Sequence, residues 1–527
     1  MKELTGTAEL IRFVIRRDRV RIATWVLSIV VLVWLTAASV DALFPTQADL
    51  DEAAAASEDN AAALAFNGPA QALDTRGGQV AFQVGAFGLL SAGLMSLFMV
   101  GRLTRGEEEA GRVELVRALP VGSRAPTAAA LVTVAAMNAS VGMLVTLALL
   151  GQGLPAPGSV TFGVSFTLLG LVFAGVAVVA AQVTENTRVV YGVTGAVLGA
   201  AFVVRAAGDV GDGTLSWFSP IGWAQKARPF AGERWWPFLL LVGAGAGLVV
   251  TAGAFAARRD LGGGLVAPRP GPAVASPGLG TPLGLATRLQ RGSLIGWSAA
   301  VFLGGVSYGS IADSVDDFVA DNEALADMLA RVQGVDLTDS YLATSLRILA
   351  ISAAGFAIQS VLRMRGEETS LRAEPVLATP VSRARWAGSH LAVAFGGSVV
   401  ILALAGLATG LSYAAVGGDV GTVPELVGAA LAYVPALWLL AGLAAALAGA
   451  APRAIPAAWV ALVACFVIGM LGELLGLPGW VIDLSPFEHV PLLPAVDLAV
   501  VPLLVLAAVA AALTGAGLAG LGRRDIG

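Results

Sequence analysis

Arg105 to Val121 reads RGEEEAGRVELVRALPV, and Arg365 to Val381 reads RGEETSLRAEPVLATPV. Ten of the seventeen positions match without a gap: Arg105, Gly106, Glu107, Glu108, Arg112, Glu114, Val116, Ala118, Pro120 and Val121, each with its partner. Ordinary composition would produce about one or two such matches. Both copies are charged and lie between long apolar runs. A charged segment used twice in an apolar chain implies two equivalent contacts with something outside a bilayer.

The duplication continues outward. Arg258-Arg259-Asp260-Leu261-Gly262 recurs as Arg523-Arg524-Asp525-Ile526-Gly527, and Ser219-Pro220 recurs as Ser485-Pro486. Trp25 and Trp297 each follow a basic segment. One unit of roughly half the length is therefore used twice, as residues 1–262 and 288–527. Between them Gly263 to Thr287 is rich in Gly, Pro and Ala, and its composition predicts a flexible tether.

Hydrophobic residues make up 57% of the chain and charged residues 13%, against about 25% charged in soluble domains. Apolar runs of about 20 residues are long enough to span the roughly 30 Å of hydrocarbon in a bilayer. They place spans near 22–41, 80–101, 125–150, 160–182, 189–207 and 237–257, then 293–312, 341–362, 387–414, 425–450, 455–476 and 497–521. The expectation is an all-α polytopic membrane protein of twelve helices in two tandem six-helix repeats, with short interfacial helices. Span 1 is too long for a signal peptide, and its counterpart lies mid-chain.

Arginines 12, 16, 17, 19 and 21 precede span 1; 102, 105, 112, 117 and 124 lie between spans 2 and 3; 258, 259, 269, 288 and 291 lie between spans 6 and 7; 363, 365, 372, 383 and 385 follow span 8. Alternating spans put all of these on one side, and the positive-inside rule makes that side cytoplasmic, with both termini. The opposite loops are acidic, with Asp49, Asp51, Glu52, Glu58 and Asp59 in one and Asp313, Asp316, Asp317, Asp321 and Glu323 in its counterpart. The net charge of −5 comes from those loops, and no basic patch for nucleic acid stands out.

The chain lacks the residues for most chemistry. Its lysines are Lys2 and Lys226, and neither sits in a phosphate-binding loop of the G-x-x-x-x-G-K-[ST] kind. His390 and His489 fall on opposite sides of the membrane, and Cys465 is the lone cysteine, so no metal site or internal disulfide is expected. No catalytic residue is assigned. A membrane enzyme using the external acids is disfavoured by their solvated, Ala-rich setting. An ion-driven secondary efflux transporter is the alternative, since such carriers also show twelve spans and repeats. It usually needs midplane carboxylates, whereas Glu425, Glu473 and Asp497 lie near span ends. Arg205 and Arg347 lie toward the outer ends of spans, as snorkelling or acid-paired residues or as a charged lip on an exit path.

Glu107 to Leu119 has the pattern of a short surface helix. Glu107, Glu108 and Glu109 suit its N-terminal end and Arg117 its C-terminal end. Pro120 stops it, and Glu108 and Arg112 stand four apart. In the second copy Glu368 and Arg372 keep that spacing, and Pro375 should shorten or kink the helix. The pattern R-G-E-E-x-x-x-R-x-E-x-x-x-A-x-P-V between spans 2 and 3 resembles permeases of the type 2 ABC exporter superfamily. The Ser-Pro turns in Leu215 to Trp223 and Ile482 to His489, and the basic segment Leu4 to Arg21, fit as well. Over nearly its full length the chain resembles the fused, two-half actinobacterial exporter permeases linked to polyketide antibiotics such as tetronasin and to multidrug efflux.

The resemblance implies a permease in the bacterial plasma membrane that exports hydrophobic small molecules. Its partner would be two copies of a separate ABC ATPase subunit holding ATP and Mg; this chain would hold no cofactor and would contact only that partner, its substrate and membrane lipid. It assigns coupling to Arg105, Glu107, Glu108, Arg112 and Glu114, and to Arg365, Glu367, Glu368, Arg372 and Glu374. The second copy departs at Thr369, Ser370 and Pro375. The resemblance also puts the path at the interface of the halves, along spans 2, 5, 8 and 11. Phe82, Phe87, Met95, Phe98 and Met99 of span 2 and Phe466 and Met470 of span 11 are its soft, aromatic candidates, although such residues also commonly face lipid or neighbouring helices. Asp209 to Pro237 and Leu477 to Val496 read either as interfacial aromatic segments or as re-entrant helices gating an exit.

Overall fold

A backbone in hydrocarbon must satisfy its amides within its own segment, so long apolar runs become helices. The computed structural model describes the chain apart from residues 1–2, 59–60, 261, 267–270, 272, 313–336, 472–476 and 525–527. The regular elements among the described residues are all helical. The chain divides into two compact units, Met1–Gly271 and Pro272–Gly527.

In the first unit α1 (Thr7–Leu43) is basic, then apolar, with a kink at Asp18. Beyond the kink Val26, Ile29, Val33, Ala37 and Val40 are buried at three- and four-residue intervals, a single inward stripe. After α2 (Gln47–Glu58) and α3 (Ala61–Asn67) comes α4 (Arg76–Leu103), the most enclosed helix of this unit, capped by the Thr75 hydroxyl accepting from Gly78 N. The motif forms α5 (Arg105–Glu109) and α6 (Arg112–Arg117). Then follow α7 (Ala125–Gly151), α8 (Ala156–Val183), α9 (Thr187–Val210), the short α10 (Pro220–Gln225) and α11 (Pro237–Ala256).

Helix α8 packs against α4, α7 and α11. A Cβ on Gly142 or on Gly163 would collide with the other's carbonyl oxygen, so α7 and α8 touch backbone to backbone. Asn138 of α7 donates to Ser96 Oγ of α4 at 2.9 Å, and Thr167 of α8 donates to Asn138 O at 3.2 Å. Interhelical polar bonds of this kind fix membrane-helix packing where no hydrophobic drive separates helix from lipid.

The second unit comprises α12 (Pro282–Ile311), α13 (Leu337–Thr369), α14 (Ala373–Leu377), α15 (Arg383–Ala415), α16 (Thr422–Ala432), α17 (Val434–Ala450), α18 (Pro456–Leu471), α19 (Gly479–Ile482) and α20 (Val500–Arg523). Helix α12 packs along α15, and α17 along α20. The run expected as one span over 425–450 is one apolar segment, Thr422–Ala450, in which the helix is interrupted at Tyr433, where Pro435 withholds an amide from the turn before it.

Twelve spans are expected from the sequence. Among the described residues ten helical segments are long and apolar enough to cross a membrane, and Pro456–Met470 is a shorter apolar helix. Span 293–312 falls on α12 and span 455–476 on α18, which borders residues outside the description. The tether expected from Gly263 is fastened at its start: Leu265 N and Val266 N donate to Gln182 O and Val183 O at the end of α8. Asp313, Asp316, Asp317, Asp321 and Glu323, with Asp59 and Glu473, lie outside the described residues.

The α17–α20 seam depends on absent side chains. A Cβ on Gly517 would strike the Ala445 carbonyl, whereas one on Gly515 would meet open space. Gly517→Val should therefore lower the thermal midpoint of the detergent-solubilised chain, a cost of about 1–3 kcal/mol for overpacking. Gly515→Ala should leave it equal or higher. Tryptophan fluorescence on heating reads both.

Candidate functional site

The motif is not the single helix expected over Glu107 to Leu119. Helix α5 ends at Glu109, and Gly111 takes a left-handed φ of 67° before α6 begins at Arg112. A Cβ there would meet nothing within 4 Å, so the backbone angle, not crowding, is what favours glycine. The reversal resets the helical phase. Arg112 therefore does not pair with Glu108. Its Nε and Nη2 donate to Glu107 Oε2 and Oε1 at 2.7 and 3.2 Å.

Glu108 is held elsewhere. Arg105 Nη1 donates to it at 2.8 Å, and Arg259, from the repeated Arg-Arg-Asp segment after α11, grips both its oxygens at 2.8 and 3.1 Å. Arg259 also donates to Gln182 Oε1 at 2.7 Å. Arg105 is buried and donates to Ala181 O at the end of α8 and to Gly263 O. Glu109 Oε1 accepts from Thr187 N at 2.6 Å, at the start of α9.

A further cluster anchors Glu107. Arg17 bridges Glu107 at 3.1 Å and Asp18 at 2.8 Å. Asp18, buried at the α1 kink, also binds Arg21 and Arg102 at 2.8 and 2.9 Å. Burial alone would raise these carboxyl pKa values, but the guanidinium hydrogen bonds outweigh it and hold both Asp18 and Glu107 below their ordinary values. The motif and its clamps thus join the kink of α1, the ends of α4, α8 and α9, and the segment after α11.

The second unit repeats the core of this network. Arg372 binds Glu367 at 2.8 and 3.3 Å, not Glu368 as its spacing suggested. Glu368 is held by Arg365 at 2.8 Å and by Arg524, the counterpart of Arg259. Leu371 stands where Gly111 stands and adopts the same left-handed φ, 58°. Burial pushes the Glu367 pKa up, and Arg372 and Arg363 more than reverse it. Elsewhere the copies diverge. Glu367 and Glu368 sit on the last turns of α13, and α14, which contains Pro375, has five residues. Thr369, in place of Glu109, turns its hydroxyl back to Arg365 O. Gln290, seven residues before Trp297 as Asp18 is before Trp25, bonds His390 Nδ1 at 3.1 Å and Ser360.

The sequence-derived coupling residues therefore separate into two kinds. Arg105, Glu107, Glu108 and Arg112, with Arg365, Glu367, Glu368 and Arg372, bond within the chain. Glu114 and Glu374 are exposed, next to Leu115 and Leu119, which are 73% and 62% exposed. The path candidates scatter. Met95 and Met99 are buried in the core, Phe87 and Phe98 lie on the exposed stripe of α4, and Phe466 is exposed. Phe82 lines a cavity of about 30 Å³ with Gln225 and Phe162, and Met470 is half-buried. Arg205 pairs with Asp209 at 3.3 Å and donates to the last carbonyls of α3; Arg347 pairs with Glu488 at 3.1 Å. Sequence reasoning missed Asp18, whose signal was a lone acid inside the run Arg16-Arg17-Asp18-Arg19, and had no role for Arg259 and Arg524.

A family model described as "Multidrug efflux system permease Rv1217c, C-terminal domain" matches residues 279–521. The multidrug efflux system permease protein Rv1217c of Mycobacterium tuberculosis is 42% identical over 525 residues, covering 99% of this chain and 95% of that protein.

Two outcomes follow from the network. Asp18 and Glu107 have lowered native pKa values, so their stabilisation is complete above the ordinary carboxylate range and fades as pH falls through the native values. The thermal midpoint should drop on acidification below about pH 4, and less steeply in Asp18→Asn, which should already melt lower at pH 7. Leu371→Gly should raise the midpoint, because a left-handed non-glycine residue costs about 1–2 kcal/mol, partly offset by glycine's extra freedom when unfolded. A lower midpoint in that variant would contradict the strain.

Proposed function

The chain belongs to the family of the multidrug efflux system permease Rv1217c, and we propose that it is the transmembrane permease of an ATP-binding cassette exporter of hydrophobic small molecules. A separate ATPase subunit, in two copies, binds ATP and Mg and drives it. The chain makes twelve crossings, six per unit, with α12 and α18 completing the set. The arginine-rich side, with both termini and both motif copies, faces the cytoplasm of a bacterial plasma membrane.

The observation that carries this reading is the repeated clamp: Glu108 between Arg105 and Arg259, and Glu368 between Arg365 and Arg524. A membrane protein that builds one charged joint twice has two equivalent inputs. The exposed faces with Glu114, Leu115 and Leu119 in one copy and Glu374 in the other receive the ATPase. The clamps pass its movement on. In the first unit they reach the kink of α1, the ends of α4, α8 and α9, and the segment after α11 at once; in the second they reach α13 and α20, and Arg383 of α15 adds a bond to Arg524 O at 2.8 Å. Work done on a short surface segment thereby reaches many helices.

The purified chain should hydrolyse no ATP alone, and its partner's ATPase rate should rise on reconstitution with it. Glu114→Arg with Glu374→Arg should abolish that stimulation and leave the thermal midpoint unchanged. Glu108→Arg with Glu368→Arg should abolish efflux and also lower the midpoint, while the protein stays in the membrane. Retained efflux in the second pair would remove the clamps from the mechanism. Transport that survives ATP depletion yet collapses with an uncoupler would overturn the ATP-driven reading.

A further inference from the structure

Helices α7 and α11 both pack on α8 but form no substantial contact with each other. They leave a cleft of about 440 Å³ at the end of the first unit that carries the motif. Its wall is apolar: Leu131 of α7, Val178 of α8, and Val249 and Ala252 of α11. Val249, which lines this wall, is 43% exposed, so the cleft is open at the helix surface. From Val249 to Ala256 the wall rises roughly 10 Å, about a third of the hydrocarbon thickness.

The mouth is polar. Arg117, Ser123, Arg124, Thr127 and Asp260 line it. Arg117 donates to Ser123 O at 3.0 Å, and no carboxylate pairs with it among the described residues. Arg124 pairs with Glu3 at 3.1 Å, but both side chains are about half exposed, and such a pair is worth little. Asp260 has no cationic partner among the described residues. The mouth therefore offers one arginine without a carboxylate partner, Arg117, a second in a weak exposed pair with Glu3, which also lines the cleft, and the unpaired carboxylate of Asp260, all beside an apolar slot.

We infer that this cleft binds a membrane phospholipid with an ammonium headgroup. Its phosphate lies against Arg117 and Arg124, its ammonium faces Asp260, and the first part of its acyl chains lies along Leu131, Val178 and Val249. An arginine fork suits a phosphate, and the mixed charge of the mouth selects a zwitterion over a purely anionic headgroup. The inference requires that α7, α8 and α11 cross the membrane; it does not depend on an ATPase partner. It does bear on coupling, because Glu108 and Arg259 also line this cleft.

The test uses the full chain, reconstituted in vesicles of phosphatidylethanolamine and phosphatidylglycerol in equal parts, extracted in mild detergent and weighed by native mass spectrometry. The wild type should retain one phosphatidylethanolamine. Arg117→Ala should retain about tenfold less, as expected for a lost charged hydrogen bond. Gly253 lines the cleft, and a Cβ there would meet nothing within 4 Å; Gly253→Phe should fill the slot and expel the lipid with the thermal midpoint unchanged. No retained phospholipid in the wild type, or equal retention in Gly253→Phe, would overturn the site. Equal retention of phosphatidylglycerol would overturn the zwitterionic assignment.

Discussion

A carboxylate held between two guanidiniums is the constraint on which the charged end of each unit depends. Glu108 and Glu368 are nearly buried, and an isolated buried carboxylate is strongly unfavourable. Each is tolerable only because one arginine comes from its own turn and another from the far end of its unit. Removing one partner of such a set leaves an uncompensated charge, a penalty of about 3–5 kcal/mol where burial is complete. The acids thus make the unit's end a single mechanical piece. The arginine after the last helix must stay docked, or the carboxylate loses half its compensation.

The same constraint explains why the repeated segments are short and widely separated. Arg105 and Glu108, like Arg365 and Glu368, are neighbours on one turn, but Arg259 and Arg524 arrive after the last long helix of their units. Only the residues that meet at the clamp need to agree between copies. The helices between them can drift in sequence provided that they remain apolar, long and able to pack. The reversal between α5 and α6 obeys this logic as well. Its left-handed geometry recurs at Gly111 and Leu371 although the residue does not, because the geometry is what turns Arg112 and Arg372 onto the first glutamate of the pair.

Much of this was legible in the chain. Hydropathy located the helices, since a buried backbone without water leaves few other choices, and the duplicated motif marked the charged end of each unit. The pairings were not legible. A four-residue spacing implies a helical pair only if the helix continues, and one left-handed residue cancels that inference. Nothing in the run Ala110-Gly111-Arg112 distinguishes a tolerated helical glycine from a reversal, and Leu371 gives no hint at all. The break at Tyr433 was signalled by Pro435 inside an apolar run, yet hydropathy alone passes over it. Asp18 was visible only as a lone acid among arginines, and its three guanidinium partners come from two separate helices.

The differences between the units carry the last step. The first ties its motif to α9 through Glu109 and to α1 and α4 through Arg17 and Asp18. The second keeps one ionic tie to its preceding helix, Arg363 to Glu367 at 2.8 Å, but has Thr369 in place of Glu109 and an uncharged Gln290–Ser360–His390 hydrogen-bonded group in place of the Asp18 hub. Ionic joints concentrate force on fixed geometry, because each lost contact exposes a charge; neutral hydrogen bonds of the second kind are worth about 0.5–1.5 kcal/mol each and yield sooner. Two motifs that agree at ten of seventeen positions are therefore anchored to their units with different stiffness. The difference lies in what surrounds the clamp and not in the clamp itself, since Glu108 and Glu368 each sit between two arginines.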